Sequence, residues 1–116
     1  MKQNDITIIG AGFAGLACAR TAARQGMKTT VLERKACSGA NTRTTGILVK
    51  EAADLLNLPA HLGREISGVR LYSPNGKWID LESPGYSFVA TDTPGMMRWL
   101  AQRAESAGAE VRLSQN

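Results

Sequence analysis

Residues 10–15 have the composition and spacing of a phosphate-binding turn. They read Gly-Ala-Gly-Phe-Ala-Gly, an unbroken G-x-G-x-x-G. The first glycine permits a tight turn, the second lets the backbone approach a pyrophosphate closely, and the third lets a helix lie close to a sheet. The spacing therefore predicts a site for the pyrophosphate of a dinucleotide. The residues predicted to form it are Gly10, Gly12, Phe13, Ala14 and Gly15.

A carboxylate and a guanidinium follow the turn, after a second apolar run. Glu33 lies about twenty residues beyond Gly10, the separation expected of an acidic residue that accepts hydrogen bonds from a ribose. Its negative charge would repel a 2′-phosphate, so the pattern disfavours NADP as the ligand of this unit. Arg34 is predicted to border the adenine, with solvated surface as the alternative role.

The turn and Glu33 need a strand, a helix and a second strand to position them. The β-branched run at residues 5–9 predicts a buried parallel strand, and the alanine spacing over residues 12–26 predicts a helix. Residues 28–33 predict the second strand, which completes a strand–helix–strand unit. The free N–H groups and positive dipole end of the helix would then face the phosphates. Cys18, within this helix, is expected to be buried.

A hairpin is predicted in the middle of the chain. Strands at residues 65–72 and 77–81 flank Asn75-Gly76, which is a strong hairpin signal. The hairpin, residues 65–82, is expected to be an insertion that lies outside the parallel sheet. A short helix is predicted before it, at residues 50–56.

The last part of the chain predicts a helix and a third parallel strand. The helix, residues 94–107, has a face of Met, Leu and Ala at helical spacing, and the strand covers residues 109–113. The predicted fold class is therefore α/β: a three-layer, Rossmann-like dinucleotide-binding domain with a parallel sheet and an additional antiparallel hairpin.

Composition and charge limit the classes of function. With 116 residues, 43% of them hydrophobic and 21% charged, the chain is expected to form one small folded domain. The formal charge of +4 comes from scattered Lys and Arg, which does not predict a nucleic-acid partner. Cys18 and Cys37 lack metal-ligand spacing, so no metal site is predicted. No apolar run has the length of a leader or transmembrane segment, which makes the cytoplasm the expected location.

Four segments resemble a known enzyme superfamily. Residues 5–16 and 31–35 closely resemble the N-terminus of FAD-dependent oxidoreductases of the glutathione-reductase-like superfamily, whose domain is of the FAD/NAD(P)-binding type. Residues 43–48 and 97–111 more loosely resemble the branch that holds flavin aromatic hydroxylases and geranylgeranyl-reductase-like enzymes.

The resemblance implies FAD as the cofactor and NAD(P)H as a candidate electron donor of the full enzyme. The ADP moiety of FAD would lie on the glycine turn and Glu33. The resemblance also places Arg43 near the pyrophosphate, with an unpaired loop arginine as the alternative. No side chain is a convincing acid, base or nucleophile, so the catalytic residues and the small-molecule substrate stay unassigned.

The resemblance spans nearly the whole chain but only the first part of such an enzyme. The chain is therefore expected to be the N-terminal part of an FAD-binding domain, without turnover by itself. Its first strand would present an open apolar edge, which favours a homo-oligomer or pairing with a missing partner chain.

Two other functions fit the glycine motif. One is a non-enzymatic dinucleotide-binding module. The other is an NAD-linked dehydrogenase domain, which the position of Glu33 permits. The loop at residues 36–45 and the hairpin argue against this second alternative, because simple NAD domains connect the second strand to the next helix quickly.

Overall fold

A computed structural model describes residues 3–116, which form two compact units. The first unit contains the residues up to Thr42 together with Thr93–Asn116, and the second contains Arg43–Asp92. The strands are β1 (Ile6–Ile9), β2 (Thr29–Leu32), β3 (Ile47–Val49), β4 (Gly63–Ile66), β5 (Gly68–Tyr72), β6 (Trp78–Glu82), β7 (Phe88–Thr91) and β8 (Glu110–Arg112). The helices are α1 (Phe13–Arg24), α2 (Lys50–Leu56) and α3 (Thr93–Ser106), with a single 3₁₀ turn at Ala60–Leu62.

The first unit is a parallel sheet with two helices. Its strand order is β1-β2-β8, and Val31 in the central strand is aligned with Ile8 on one side and Val111 on the other. Helix α1 packs on β1 and β2, and α3 packs on α1 and β8. Leu16, Val31 and Met96 are almost completely buried, so the core of this unit lies between the helices and the sheet.

The predicted strand–helix–strand unit is confirmed, as is the third parallel strand. The helix predicted at 94–107 begins one residue earlier, at Thr93. Its predicted apolar face is confirmed, since every residue assigned to it is buried. These residues are Met96, Met97, Leu100, Ala101 and Ala104.

Two burial predictions for this unit are wrong. Strand β1 is not fully buried, because among the described residues it lies at the edge of the sheet and pairs only with β2. Its side chains alternate, and Ile9 is 79% exposed. Cys18 is exposed as well, since it does not share the α1 face that Leu16 and Ala19 bury.

The second unit contains two antiparallel sheets. Strands β3, β7 and β4 form one in that order, while β5 and β6 form a separate hairpin. The hairpin lies outside the parallel sheet, as predicted, and α2 occupies the predicted residues. The prediction of a single strand over residues 65–72 is wrong, because Ile66 pairs with Phe88 whereas Gly68 pairs with Glu82. The chain changes partners at Ser67.

Strands β3 and β7 were not predicted from the sequence. Each has only three or four residues, and β7 is the strand on which both β3 and β4 pair. Their hydrogen bonds join segments that are far apart in the chain, so no local pattern reveals them.

Candidate dinucleotide-binding site

The glycine turn joins the end of β1 to the start of α1. Gly10 has a φ of +95°, a conformation that residues with a side chain rarely adopt. Its N–H donates a hydrogen bond to the carbonyl of Leu32 at 2.8 Å, which ties the turn to β2. The first glycine of the motif is therefore required by the backbone, as the sequence predicted.

Gly12 is the N-cap residue of α1, and it faces open space. It is exposed, a Cβ added to it would meet nothing within 4 Å, and no side chain caps the helix there. Phe13, which is 39% exposed, and Ala14 follow it in the first turn. Because N–H groups at a helix start lack intrahelical partners, an anion beside Gly12 would find donors and a favourable dipole.

Gly15 has a different role from Gly12. A Cβ added to it would overlap the carbonyl oxygen of Gly10 and would lie 3.4 Å from Cγ2 of Ile8. Gly15 therefore permits the close approach of α1 to β1. The three glycines divide into one that shapes the turn, one that leaves space and one that allows packing.

Glu33 follows β2 directly, and its carboxylate binds the glycine turn. Oε2 accepts a hydrogen bond from the N–H of Ala11 at 2.7 Å, and Oε1 accepts one from the N–H of Lys35 at 2.9 Å. The hydrogen bond from Lys35 lowers the pKa of Glu33, partial burial opposes this, and the hydrogen bond from Ala11 lowers the pKa further. Glu33 is thus held as a carboxylate against the turn.

A cavity of about 380 Å³ opens beside Glu33, at the carboxyl ends of β1 and β2. Its walls include Ile9, Gly10, Glu33 and Arg34, and the segment after β8 closes one side with Gln115. Ligands of open α/β sheets bind at this end of the strands. The residues present therefore fit the nucleoside end of a dinucleotide, with open space for its phosphates at Gly12.

The predicted site residues are not all brought together. The turn, Glu33 and the exposed Arg34 belong to the first unit and lie around the same strand ends. Arg43 is exposed and is the first residue of the second unit, and its contact with the pyrophosphate stays a prediction.

Two participants in the site were missed by sequence reasoning. Ala11 donates to Glu33 through its backbone, which any residue at that position could do. Gln115 donates its backbone N–H to the carbonyl of Glu33 at 2.9 Å, and no motif marks it. The only available signal was its place just after a predicted parallel strand.

Residues 3–116 contain neither a candidate metal site nor a candidate membrane-spanning helix. This part of the chain has no group of three or more His, Cys, Asp or Glu side chains that could hold a metal ion. Within the same range, no helix combines the length and hydropathy that crossing a membrane requires. Cys18 and Cys37 are both exposed free thiols.

Comparison with known proteins relates the chain to reductases. It is 38% identical over 112 residues to digeranylgeranylglycerophospholipid reductase 2 of Methanopyrus kandleri, covering 94% of this chain and 28% of the relative. It is 32% identical over 111 residues to geranylgeranyl diphosphate reductase of Rhodobacter capsulatus, covering 91% and 27%. The chain therefore spans less than a third of the length of these relatives.

Solved structures share the fold. A geranylgeranyl bacteriochlorophyll reductase-like protein from Thermoplasma acidophilum superposes with a TM-score of 0.81 at 28% identity, over 96% of this chain and 30% of that protein. An aklavinone-11 hydroxylase solved with FAD and aklavinone gives a TM-score of 0.69 at 18% identity, covering 98% and 26%, which shows the fold alone. The sequence model of a family described as FAD dependent oxidoreductase matches residues 5–116. The chain belongs to this family of FAD dependent oxidoreductases.

Proposed function

We propose that the glycine turn, the start of α1 and Glu33 hold the ADP half of FAD in a flavin-dependent oxidoreductase of the glutathione-reductase-like superfamily. The observation that carries this proposal is the hydrogen bond from Ala11 N–H to Glu33 Oε2. It joins the predicted phosphate-binding turn and the predicted ribose-binding carboxylate into one site beside a cavity.

Each part of the site has a separate task in binding. The backbone N–H groups at the start of α1 donate hydrogen bonds to the pyrophosphate, which lies in the open space beside Gly12. The remaining lone pairs of the Glu33 carboxylate accept hydrogen bonds from the ribose hydroxyls. Arg34 borders the adenine at the wall of the cavity. When bound, FAD supplies electron transfer through its isoalloxazine ring.

The substrate class and the electron donor are part of the same proposal. Both curated relatives described above are reductases whose names specify geranylgeranyl groups, attached to a glycerophospholipid in one and to a diphosphate in the other. We propose that the parent reaction reduces an isoprenoid chain that carries a phosphate group. Saturating one carbon–carbon double bond takes two electrons and two protons, which suits NAD(P)H as a hydride donor.

A ligand comparison tests the cofactor assignment. The chain is titrated by calorimetry with FAD, ADP, NAD and NADP at one ionic strength. FAD and ADP are expected to bind more tightly than NADP, because Glu33 repels the 2′-phosphate of NADP. Tighter binding of NAD than of FAD would favour the dehydrogenase alternative. If none of the four ligands binds, the proposed function is refuted.

A further inference from the structure

The cavity beside Glu33 has an apolar wall. Ile9 and Leu32 end β1 and β2 and are aligned with each other, so their side chains lie on one face of the parallel sheet. Both residues line the cavity, and Ile9 is 79% exposed. The volume of about 380 Å³ is in the range of small-molecule sites. This wall suits the flat apolar face of a nucleotide base, and the polar edge of the base would then meet the rest of the cavity.

The segment after β8 forms a polar end of the cavity, and it is held there by backbone contacts. Ser114 has a φ of +56°, in the left-handed region that serine rarely adopts. Its N–H donates to the carbonyl of Lys35 at 2.9 Å, and the N–H of Gln115 donates to the carbonyl of Glu33 at 2.9 Å. Backbone conformations of this kind concentrate at ligand sites, where surrounding contacts hold them. The turn at Ser114 therefore fixes Gln115 beside Glu33.

The side-chain amide of Gln115 has a defined orientation in the wall of the cavity. Its Nε2 donates a hydrogen bond to the carbonyl of Leu113 at 3.0 Å. Because a carbonyl oxygen can only accept, the amide presents its nitrogen to Leu113 and its oxygen elsewhere. Among residues 3–116, no donor binds Oε1 of Gln115. Gln115 therefore offers a ligand a free acceptor, whereas one of its donors is already used.

We propose that Gln115 makes the cofactor site specific for adenine, with its Oε1 accepting a hydrogen bond from the 6-amino group while Ile9 contacts the face of the ring. The amino group of adenine is a donor, whereas guanine carries an acceptor oxygen at the same position. Glu33 is the proposed ribose acceptor, and Gln115 lies next to it, so a base attached to that ribose is within reach of the amide. This inference rests on the proposed function and adds the residue that selects the base.

The test is a calorimetric titration of the whole chain with ADP and with purine riboside 5′-diphosphate, which lacks only the 6-amino group. The wild-type chain is expected to bind ADP about three- to tenfold more tightly, the effect of one hydrogen bond. Gln115→Leu should weaken ADP by this factor and leave the analogue unchanged, because Leu retains the backbone N–H that binds Glu33. The matched control is Gln102→Leu, at an exposed glutamine of α3, which should keep the preference for ADP.

A purely structural role for Gln115 predicts a different result, because its replacement would then weaken both nucleotides alike. Circular dichroism checks the fold of each variant, and Gln115→Met, which also lacks the acceptor, replaces Gln115→Leu if the latter does not fold.

The inference is overturned if the wild-type chain binds the two nucleotides equally, if the Gln115 variant loses affinity for both, or if Gln102→Leu loses the preference to the same extent. The binding of ADP itself separates this inference from the proposed function. If ADP binds without any preference over the analogue, only the assignment of Gln115 fails. If ADP does not bind, the proposed function and this inference fail together.

Discussion

At the scale of single residues, the carboxylate of Glu33 connects the candidate cofactor site to the fold. Its two oxygens each accept one backbone N–H, from Ala11 in the glycine turn and from Lys35. A carboxylate oxygen can accept more than one hydrogen bond, so both contacts are compatible with ribose binding. Glu33 therefore ties the glycine turn to the end of β2, and under the proposed function it would also offer an acceptor to the ribose.

Replacing Glu33 by Gln should weaken ADP binding by about 1.5–3 kcal/mol, the size of a hydrogen bond to a charged acceptor. The amide nitrogen of Gln cannot accept from Ala11 or Lys35, so one of these backbone donors loses its partner. Calorimetric titration with ADP measures the change. Glu105→Gln, an exposed substitution on α3, is the control and should leave affinity unaltered. Equal affinities for the two variants would assign Glu33 a role outside the site.

The two backbone hydrogen bonds to Glu33 should also make the stability of the fold depend on pH. The hydrogen bonds from Lys35 and Ala11 lower the pKa of Glu33 in the folded chain. A lowered folded pKa means that the stabilisation is fully present above the unfolded pKa and is lost as pH falls through the folded value. The free energies of unfolding of wild type and Glu33→Gln, measured in urea, should therefore be similar in acid and differ at neutral pH. A difference in the free energy of unfolding that does not change with pH would contradict this role of the Glu33 carboxylate.

At the scale of elements, the sequence predicted what depends on local pattern. The glycine turn, α1 and β2 follow one another in the chain, so their periodicity and spacing were sufficient. Strands β3 and β7 depend on pairing between Ile47 and Ala90, which are distant in sequence. The exposure of β1 and Cys18 was missed because it depends on which neighbours the sheet and α1 have.

Substitution by Ala should destabilise the fold much more at Gly15 than at Gly12. Alanine inside a helix is ordinarily more stable than glycine, but at Gly15 its Cβ would overlap the carbonyl of Gly10. Gly15→Ala should therefore lower the free energy of unfolding by about 1–3 kcal/mol. Gly12→Ala should lower it by no more than about 1 kcal/mol, because alanine is a poorer N-cap residue than glycine but its Cβ would meet no protein atom. Urea denaturation would disprove this if Gly15→Ala were neutral or stabilising.

At the scale of the whole molecule, β1 leaves a row of backbone groups and an exposed Ile9 at one edge of the parallel sheet. Exposed edges of this kind pair with other chains unless charge or proline protects them. We expect the isolated chain to form dimers or larger species by light scattering. Thr7→Lys, at an exposed β1 position, should reduce this association. A wild-type monomer at high concentration would refute the prediction.

The central claim is that residues 10–15 and Glu33 hold the ADP half of FAD, and a titration of ADP against Gly12→Val tests it most directly. A valine side chain there would enter the space left for the pyrophosphate without meeting protein atoms at its Cβ. The wild-type chain and the control Ala17→Val, at an exposed position of α1, should bind ADP equally. Gly12→Val should bind at least about tenfold more weakly, with an unchanged circular dichroism spectrum. Undiminished affinity of Gly12→Val for ADP would contradict the account.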